Sequence, residues 1–584
     1  MRPRNNLVTP LLTDLYQLTM AYSYWKNSKH ENNAVFDLFF RKNPFGGEFT
    51  IFAGLEEVLR FVNNFRFTEE DIDYLKNGVQ ISKSEAIEDF DFGIEQGYIR
   101  ANGNGYEQYT FPEFGEGRWE ETKYPEHSID VKPPMPDCEP AFFKWLSSLD
   151  CSKIKINSFR EGAIVFPKLP LLRVEGPIAI AQLLETPLLT LVNYSSLVAT
   201  KAARLRLAAG EDKKLLEFGL RRAQGPDGAL SASRYSFIGG FNATSNVTAG
   251  KIFGIPISGT HAHSFVSSFN SFEDLPQKNI VLPDGKSVDF VSIVLRYRKE
   301  LEYDYKNEGE LAAFIAYAIS FPNSFLALTD TYDLLKSGIP NFLCTALALK
   351  EIGYTPLGIR LDSGDLAYYS KEARKIFKEI DNIYHNGFSN LNIVASNDID
   401  EPTLISLNQQ GHEIDTFGIG THLVTCNGQP SLGGVYKLVS INGSPRIKIS
   451  QEVSKITLPC KKTPFRLFGA DGHPVIDIMQ LEEEPEPIAA EKILCRHPFE
   501  ASKRAYVVPE RIEKLHHLVW EGKRRVSQEN LLEIKEYSQK QLSHFRKDHL
   551  RTLNPTPYKI SVSDMLYSYL HKLWQDETPI PTIN

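Results

Sequence analysis

The chain has 584 residues, 42% of them hydrophobic, and a formal net charge of -8 at neutral pH. That length supports a large core and more than one lobe, while the acidic balance argues against nucleic-acid binding, which calls for a basic face. Any anionic ligand must therefore be held by local arginines and backbone amides.

The first residues, MRPRNNLVTPLLTDLYQLTM, lack the unbroken apolar core of a secretion signal, because Pro10, Thr13 and Asp14 interrupt it. LAAFIAYAISF, residues 311–321, is among the longest apolar runs and falls short of the roughly 18–20 residues that cross a bilayer. The expected location is the cytosol, with no membrane or nucleic-acid partner. Cys138, Cys151, Cys344, Cys426, Cys460 and Cys495 include no CxxC pair and read as buried thiols of a reduced compartment.

Segment 84–137 is rich in Gly, Pro, acids and aromatics without a sustained period, and reads as an inserted loop. KKLLEFGL (213–220) reads as helical and KIFGIPIS (251–258) as a strand. Between 355 and 425 strand and helix alternate. YTPLGIRL is a buried strand, DSGD a turn, and LAYYSKEARKIFKEI (366–380) an amphipathic helix. LNIVAS (391–396) is the next strand, EPTLISLNQQ a helix with Pro402 in its first turn and Gly411 beyond its end, and HEIDTFGIGT a further strand. Successive units of this kind demand parallel strands with right-handed crossovers, as in a barrel or doubly wound sheet. LEEEPEP (481–487) reads as a solvated linker, and 530–545 has helical spacing at Leu531, Ile534, Leu542 and Phe545.

Charged and glycine-rich residues recur where the strands end. GIRLDSGD supplies Arg360, Asp362, Gly364 and Asp365; FGIGTH supplies Gly418, Gly420 and Thr421. Active sites of parallel α/β folds lie at this end, and late loops there cradle phosphate with backbone N–H groups. The plainer reading is that DSGD makes a turn and that Ser363 or Asp365 caps the next helix. Arg221 and Arg222 suit an anion, since a guanidinium matches phosphate or carboxylate with paired hydrogen bonds, or they form a solvated pair. In GTHAHSF (259–265) the two-residue spacing of His261 and His263 would suit a metal only if both side chains converged, and no nearby acid or cysteine completes a metal site.

Taken together these words resemble one family, the nicotinate phosphoribosyltransferases, with the animal-type enzyme as the nearest likeness. The matching words are LLTDLYQLTMAYSYW (11–25), FRKNPFGGEFTIFAGL (40–55), LLETPLLTLVNYSSLVATKAARLR (183–206), FGLRRAQGPDGALSASRYSFIGGFNATSNV (218–247), GTHAHSF, GIRLDSGDL, FGIGTHLVTC and PSLGGVYKLV, in the family's order. The resemblance implies formation of nicotinate mononucleotide and pyrophosphate from nicotinate and 5-phosphoribosyl 1-pyrophosphate. This is an ATP-driven, ligase-type reaction and the entry of nicotinate into NAD synthesis, with ATP as co-substrate and Mg²⁺ or Mn²⁺ on the pyrophosphate. It implies an α/β fold of the type II phosphoribosyltransferases: an irregular parallel α/β barrel over 171–440 and a mixed lobe from residues 1–170 and 441–584, the latter with a helical extension. A head-to-tail homodimer with shared sites is expected.

By the same resemblance His263 matches the histidine that ATP phosphorylates, and His261 is left to structure. Phe218 and the partner subunit's Tyr16 match the aromatics on either side of the pyridine ring. Arg360 faces the nicotinate carboxylate, Thr260 is a further substrate contact, Arg221 binds phosphate, Asp362 contacts ribose hydroxyls, and Gly418, Gly420 and Thr421 hold the 5′-phosphate. Where related nicotinamide enzymes carry aspartate in a GTD word, this chain has Ser245, which fits a substrate whose carboxylate an aspartate would repel. Two rivals stand beside this reading: a metal-dependent barrel hydrolase using both histidines, and a non-catalytic binding protein that kept the fold.

Overall fold

A computed structural model describes residues 7–81, 100–102, 105–107, 129–282, 284–304, 307–526 and 529–578. The alternation expected between 355 and 425 is present. Strand Gly358–Leu361, helix Leu366–Tyr384, strand Asn392–Ala395, helix Glu401–Gln410 and strand Thr416–Ile419 follow in order. Pro402 occupies the first turn of its helix and Gly411 closes it at φ 66°, a left-handed value that glycine adopts freely.

These strands form a six-stranded sheet in the order Ala243–Thr244, Lys214–Glu217, Thr416–Ile419, Asn392–Ala395, Gly358–Leu361 and Leu326–Leu328, and every neighbouring pair is parallel. Parallel pairing needs crossovers that cover both faces, which is why these strands are nearly continuous apolar runs. The two outermost strands do not pair with each other among the described residues, so no hydrogen-bonded ring closes the expected barrel.

A second sheet of seven strands draws on both ends of the chain. Its order is Ser444–Pro445, Gly434–Ile441, Asn33–Phe40, Leu172–Pro177, Lys155–Ser158, His517–Glu521 and Arg524–Arg525. A third, six-stranded sheet lies wholly within residues 462–562. Between the first two runs helix Glu185–Ala209, 25 residues long and buried over most of its second half.

Several local expectations need correction. KKLLEFGL is not helical: Lys214–Glu217 is a strand, because Leu215, Leu216 and Glu217 are buried between parallel neighbours on both sides, and a run this short carries no decisive period. KIFGIPIS is not a strand. Asn246 caps a helix Val247–Phe253 by accepting from Ala249 N, Gly254 ends it at φ 72°, and only Ile257 makes a bridge, to Thr244. The 481–487 segment is solvated, with Glu482, Glu483, Pro485 and Glu486 exposed, but it is also pinned: Glu482 accepts from Arg173 at 2.6 Å and pairs with Lys461, and Glu484 accepts from Ser563 at 2.6 Å. Helix Leu531–His544 is as expected, capped by Asn530.

Most of the 84–137 insertion lies outside the described residues; within it Arg100–Asn102 pairs with Gly105–Glu107, and Ile129–Val131 with Val79–Ile81. All six cysteines are free thiols. No helix among the described residues is long and apolar enough to cross a membrane.

One buried carboxyl makes the fold pH-sensitive. Glu310 is fully buried on helix Glu308–Ser320, accepting from Ser337 at 2.5 Å and Asn341 at 2.9 Å. Burial pushes its pKa from 4.5 up to about 7. The unfolded chain therefore loses this proton first, and stability falls as pH rises from the unfolded value to the folded one, by at most about 3 kcal/mol. Glu310→Gln is expected to raise the melting temperature relative to wild type at pH 8 and not at pH 4.5. Equal shifts at both pH values, read by scanning calorimetry, would refute this.

Candidate active site

At the carboxyl end of the parallel sheet the chain brings together residues from four strand ends. Arg360, in the strand Gly358–Leu361, donates from Nε to Ser396 Oγ at 2.7 Å, and its Nη2 lies 3.3 Å from Asp362 Oδ1. Ser396, just past the strand Asn392–Ala395, donates in turn to Asp362 Oδ1 at 2.6 Å. The guanidinium is thereby fixed by two groups, and its Nη1 side, 3.5 Å from Thr260 Oγ1, is directed to the site. Below it lies the half-buried ring of Phe218, 5.4 Å from the guanidinium carbon.

Phe218 is placed by what surrounds it. A Cβ on Gly418 would come within 2.5 Å of its ring, so glycine leaves the surface on which the ring rests. Next to it, the buried carboxylate of Glu217 accepts from Gly219 N, from Ser233 Oγ at 2.8 Å and from Thr244 Oγ1 at 2.5 Å. Those bonds tie the 217–219 turn to the end of the Ala243–Thr244 strand. Half-buried Ser245 follows, its N–H donating to Glu217 O at 2.9 Å and its hydroxyl 3.4 Å from the same oxygen.

The two histidines diverge: an extended backbone would have set residues two apart on one face, but the backbone there is coil turning into helix. His263 is the first residue of helix His263–Ser267. Its Nδ1 lies 3.1 Å from Thr331 Oγ1 and its Nε2 3.6 Å from Asp362 Oδ2. His261 packs its ring against Tyr317 and Phe265 and accepts from Leu328 N at 3.3 Å. Burial lowers its pKa to about 4, so it stays neutral. Among the described residues no group of three or more His, Cys, Asp or Glu side chains could hold a metal ion, and the hydrolase rival loses its geometric basis.

Asp330 and Thr331 were not marked by sequence, nor were Ser396 and Glu217. Asp330 accepts from Asp362 N at 2.9 Å and Ser363 Oγ at 2.6 Å, while its Oδ1 is buried without a hydrogen-bond partner. All four sit at or just past the carboxyl end of a strand, which is the only clue the sequence offered. Asp365 takes the plain role, capping the helix Leu366–Tyr384 by accepting from Tyr368 N at 3.0 Å.

Gly420 precedes the short helix Thr421–Val424, adjacent to the Phe218 backbone. Arg221 and Arg222 are exposed in the turn Leu220–Arg222 and form no ion pair among the described residues. Tyr16 stands apart. It is 47% exposed on helix Leu15–Lys26, and no contact joins it to Phe218 or Arg360 within the described chain.

Residues 11–104 and 120–193 match the family domain described as nicotinate phosphoribosyltransferase (NAPRTase) N-terminal domain, 345–477 the nicotinate phosphoribosyltransferase (NAPRTase) family, and 461–570 its C-terminal domain. Nicotinate phosphoribosyltransferase 1 of Arabidopsis thaliana is 51% identical over 592 aligned positions, covering 99% of this chain and 96% of that protein. The chain belongs to the nicotinate phosphoribosyltransferase family. The likeness extends to animals: nicotinate phosphoribosyltransferase of Homo sapiens is 41% identical, over 98% of this chain and 97% of that one. The crystal structure of human nicotinic acid phosphoribosyltransferase superposes with a TM-score of 0.78 at 39% identity, covering 96% of this family member and 99% of the human chain.

Proposed function

We propose that the chain transfers the phosphoribosyl group of 5-phosphoribosyl 1-pyrophosphate to nicotinate, driven by ATP through a phosphohistidine at His263, as the first step of NAD synthesis from nicotinate. The observation that carries this reading is the Arg360, Ser396 and Asp362 network set between the Phe218 ring and His263. It offers a fixed cation over an aromatic face, which suits a planar ring bearing a carboxylate.

In this reading Arg360 pairs with the nicotinate carboxylate beside Thr260, and Phe218 and the partner subunit's Tyr16 enclose the ring. The exposure of Tyr16 and its separation from Phe218 within one chain support a homodimer with shared sites. Asp362 contacts the ribose hydroxyls. Gly418, Gly420 and Thr421 hold the 5′-phosphate, with Arg221 a further phosphate contact. The pyridine nitrogen forms its bond to the ribose C1 with its own lone pair as the C1–O bond to pyrophosphate breaks, so no general base is needed. Positioning and charge stabilisation supply the rate. Mg²⁺ or Mn²⁺ enters as the ion carried by the diphosphate.

For ATP coupling, a His263 tautomer that donates from Nδ1 to Thr331 leaves Nε2 with a lone pair. Nε2 attacks the γ-phosphorus and ADP departs; water later cleaves the P–N bond and releases phosphate. The cytosol and the division at residues 170 and 440 belong to the same proposal.

The test is product formation by purified protein with Mg²⁺ and the phosphoribosyl donor, offering nicotinate or nicotinamide with and without ATP. Nicotinate mononucleotide made faster with ATP, and His263→Ala losing that stimulation, is the expected result. No product from either base would leave the binding-protein rival standing.

Ser245→Asp gives a second expectation. The new carboxylate would face Glu217 O, which offers no proton, and would repel the substrate's own charge. Use of nicotinate should fall by roughly tenfold or more relative to nicotinamide; unchanged nicotinate kinetics would sink the specificity argument.

A further inference from the structure

Behind the parallel sheet, at the amino end of the strand Lys214–Glu217, a cleft of about 1080 Å³ opens. It lies between the last turn of helix Glu185–Ala209, the chain at Gly240 and Asn242, and helix Leu531–His544 with the segment after it. Phe218 follows the opposite end of that strand, so the cleft and the candidate active site are separate. Its volume is just above the range of about 300–1,000 Å³ usual for small-molecule sites.

Five cationic side chains line the cleft, Arg206, Lys535, Lys540, Lys547 and Arg551, against one carboxylate, Glu211. None of the five forms an ion pair with an acid among the described residues. Two of them make the floor. Arg206 donates to the carbonyls of Gly210 at 2.9 Å and Lys213 at 2.6 Å, and Lys535 donates to Phe241 O at 2.6 Å. Their hydrogen-bond partners are neutral, and the acids acting on Arg206 are Asp212 and Glu211; burial lowers Lys535 to about 8 and Arg206 to about 10. Lys540, Lys547 and Arg551 are exposed at the rim. Gln539 also lines the cleft, and its Nε2 is a buried donor with no hydrogen-bond partner, a costly state.

Cations gather at helix C-termini because the helix dipole favours them there. That accounts for Arg206 and Lys540, near the ends of their helices. It does not account for Lys535, in the first half of its helix, for Lys547 and Arg551, which lie beyond His544, or for the orphaned Gln539 amide.

We propose that this cleft binds a small, multiply phosphorylated ligand, with its phosphates on Lys540, Lys547 and Arg551. Charge-assisted hydrogen bonds to phosphate are the strong ones, and the fixed positive floor raises the local potential despite a net charge of -8. A discrete concavity on an acidic chain favours a metabolite over a polynucleotide, which needs a continuous basic track. The site is independent of the reaction proposed above.

Hydrogen-exchange mass spectrometry on the full chain tests it, with inorganic tripolyphosphate in one arm and a β,γ-methylene nucleoside triphosphate in the other. Either probe is expected to protect residues 206–215 and 535–552, and the tighter binder tells whether an inorganic chain or a nucleotide is the better fit. The variant Lys540→Glu, Lys547→Glu, Arg551→Glu should bind roughly a hundredfold more weakly at the cleft, with any protection at 416–424 unchanged. All three side chains are exposed, so its melting temperature should stay within about 2 °C of wild type. Absence of cleft protection by both probes at saturation, or equal binding by the variant, would overturn the proposal, as would cleft protection produced only by a single-stranded oligonucleotide.

Discussion

Arg360→Ala should lower kcat/KM for nicotinate by roughly 10²- to 10³-fold, the loss expected when a paired, charge-assisted contact is removed. The side chain joins three functions in one geometry. Its Nε is held by Ser396, its Nη2 faces Asp362, and its plane lies over Phe218. In the proposed role truncation takes away the carboxylate partner, and it also leaves Asp362 without its guanidinium neighbour. In that role the contact is made in ground and transition states alike, so most of the loss should appear in KM. Arg360→Lys should recover only part of it, since an ammonium cannot bond Ser396 and the substrate in one plane. Steady-state kinetics with both bases decide the matter: the nicotinate-to-nicotinamide preference should collapse in Arg360→Ala, and a change of less than about threefold would remove Arg360 from substrate recognition.

Gly338→Ala should damage activity far more than its distance from the chemistry suggests. Gly338 ends the π-helical turn Leu334–Gly338, and a Cβ there would overlap the carbonyl group of Thr329. Backbone cannot swing aside as a flexible side chain does, so overpacking of about 3 kcal/mol or more is expected, with the first thermal transition down by about 2–5 °C. Thr329 bonds Arg360 O through both its N–H and its hydroxyl, and the next two residues hold Asp362 and His263. A shift of about 1 Å here should cost on the order of a hundredfold in kcat. Gly228→Ala is the control, its nearest neighbour atom being 4.0 Å away inside a helix; it should be neutral or slightly stabilising. Equal behaviour of the two variants would show that the 329–338 turn does not position the site.

Much of the parallel sheet was legible because its helices carry local punctuation: Asp365 as a cap, Pro402 inside, Gly411 outside. The failures share a physical cause. KKLLEFGL is a strand because neighbours distant in sequence cover it on both faces, and KIFGIPIS gives up its first residues to a helix that Asn246 nucleates upstream. At the site, the residues with conspicuous chemistry, Arg360, Asp362 and His263, could be read from their words. Their supports could not. Asp330 and Ser396 look like ordinary loop residues until the sheet sets four strand ends side by side, and Glu217 looks like a surface acid until its carboxylate is seen to hold the Phe218 turn.

The seven-stranded sheet sets a timetable for synthesis. Strand Asn33–Phe40 needs two neighbours, Leu172–Pro177 and Gly434–Ile441, and Asn33 meets Asn442 across 409 positions of sequence. At ribosomal rates of about 5–20 residues per second, the first strand waits roughly 20–80 s for its second partner. Throughout that interval a hydrophobic edge, NAVFDLFF, stands open to any other chain. The yield of folded protein should therefore depend on what shields that edge on the nascent chain, so chaperone supply and translation speed should govern recovery more strongly than the stability of the finished fold.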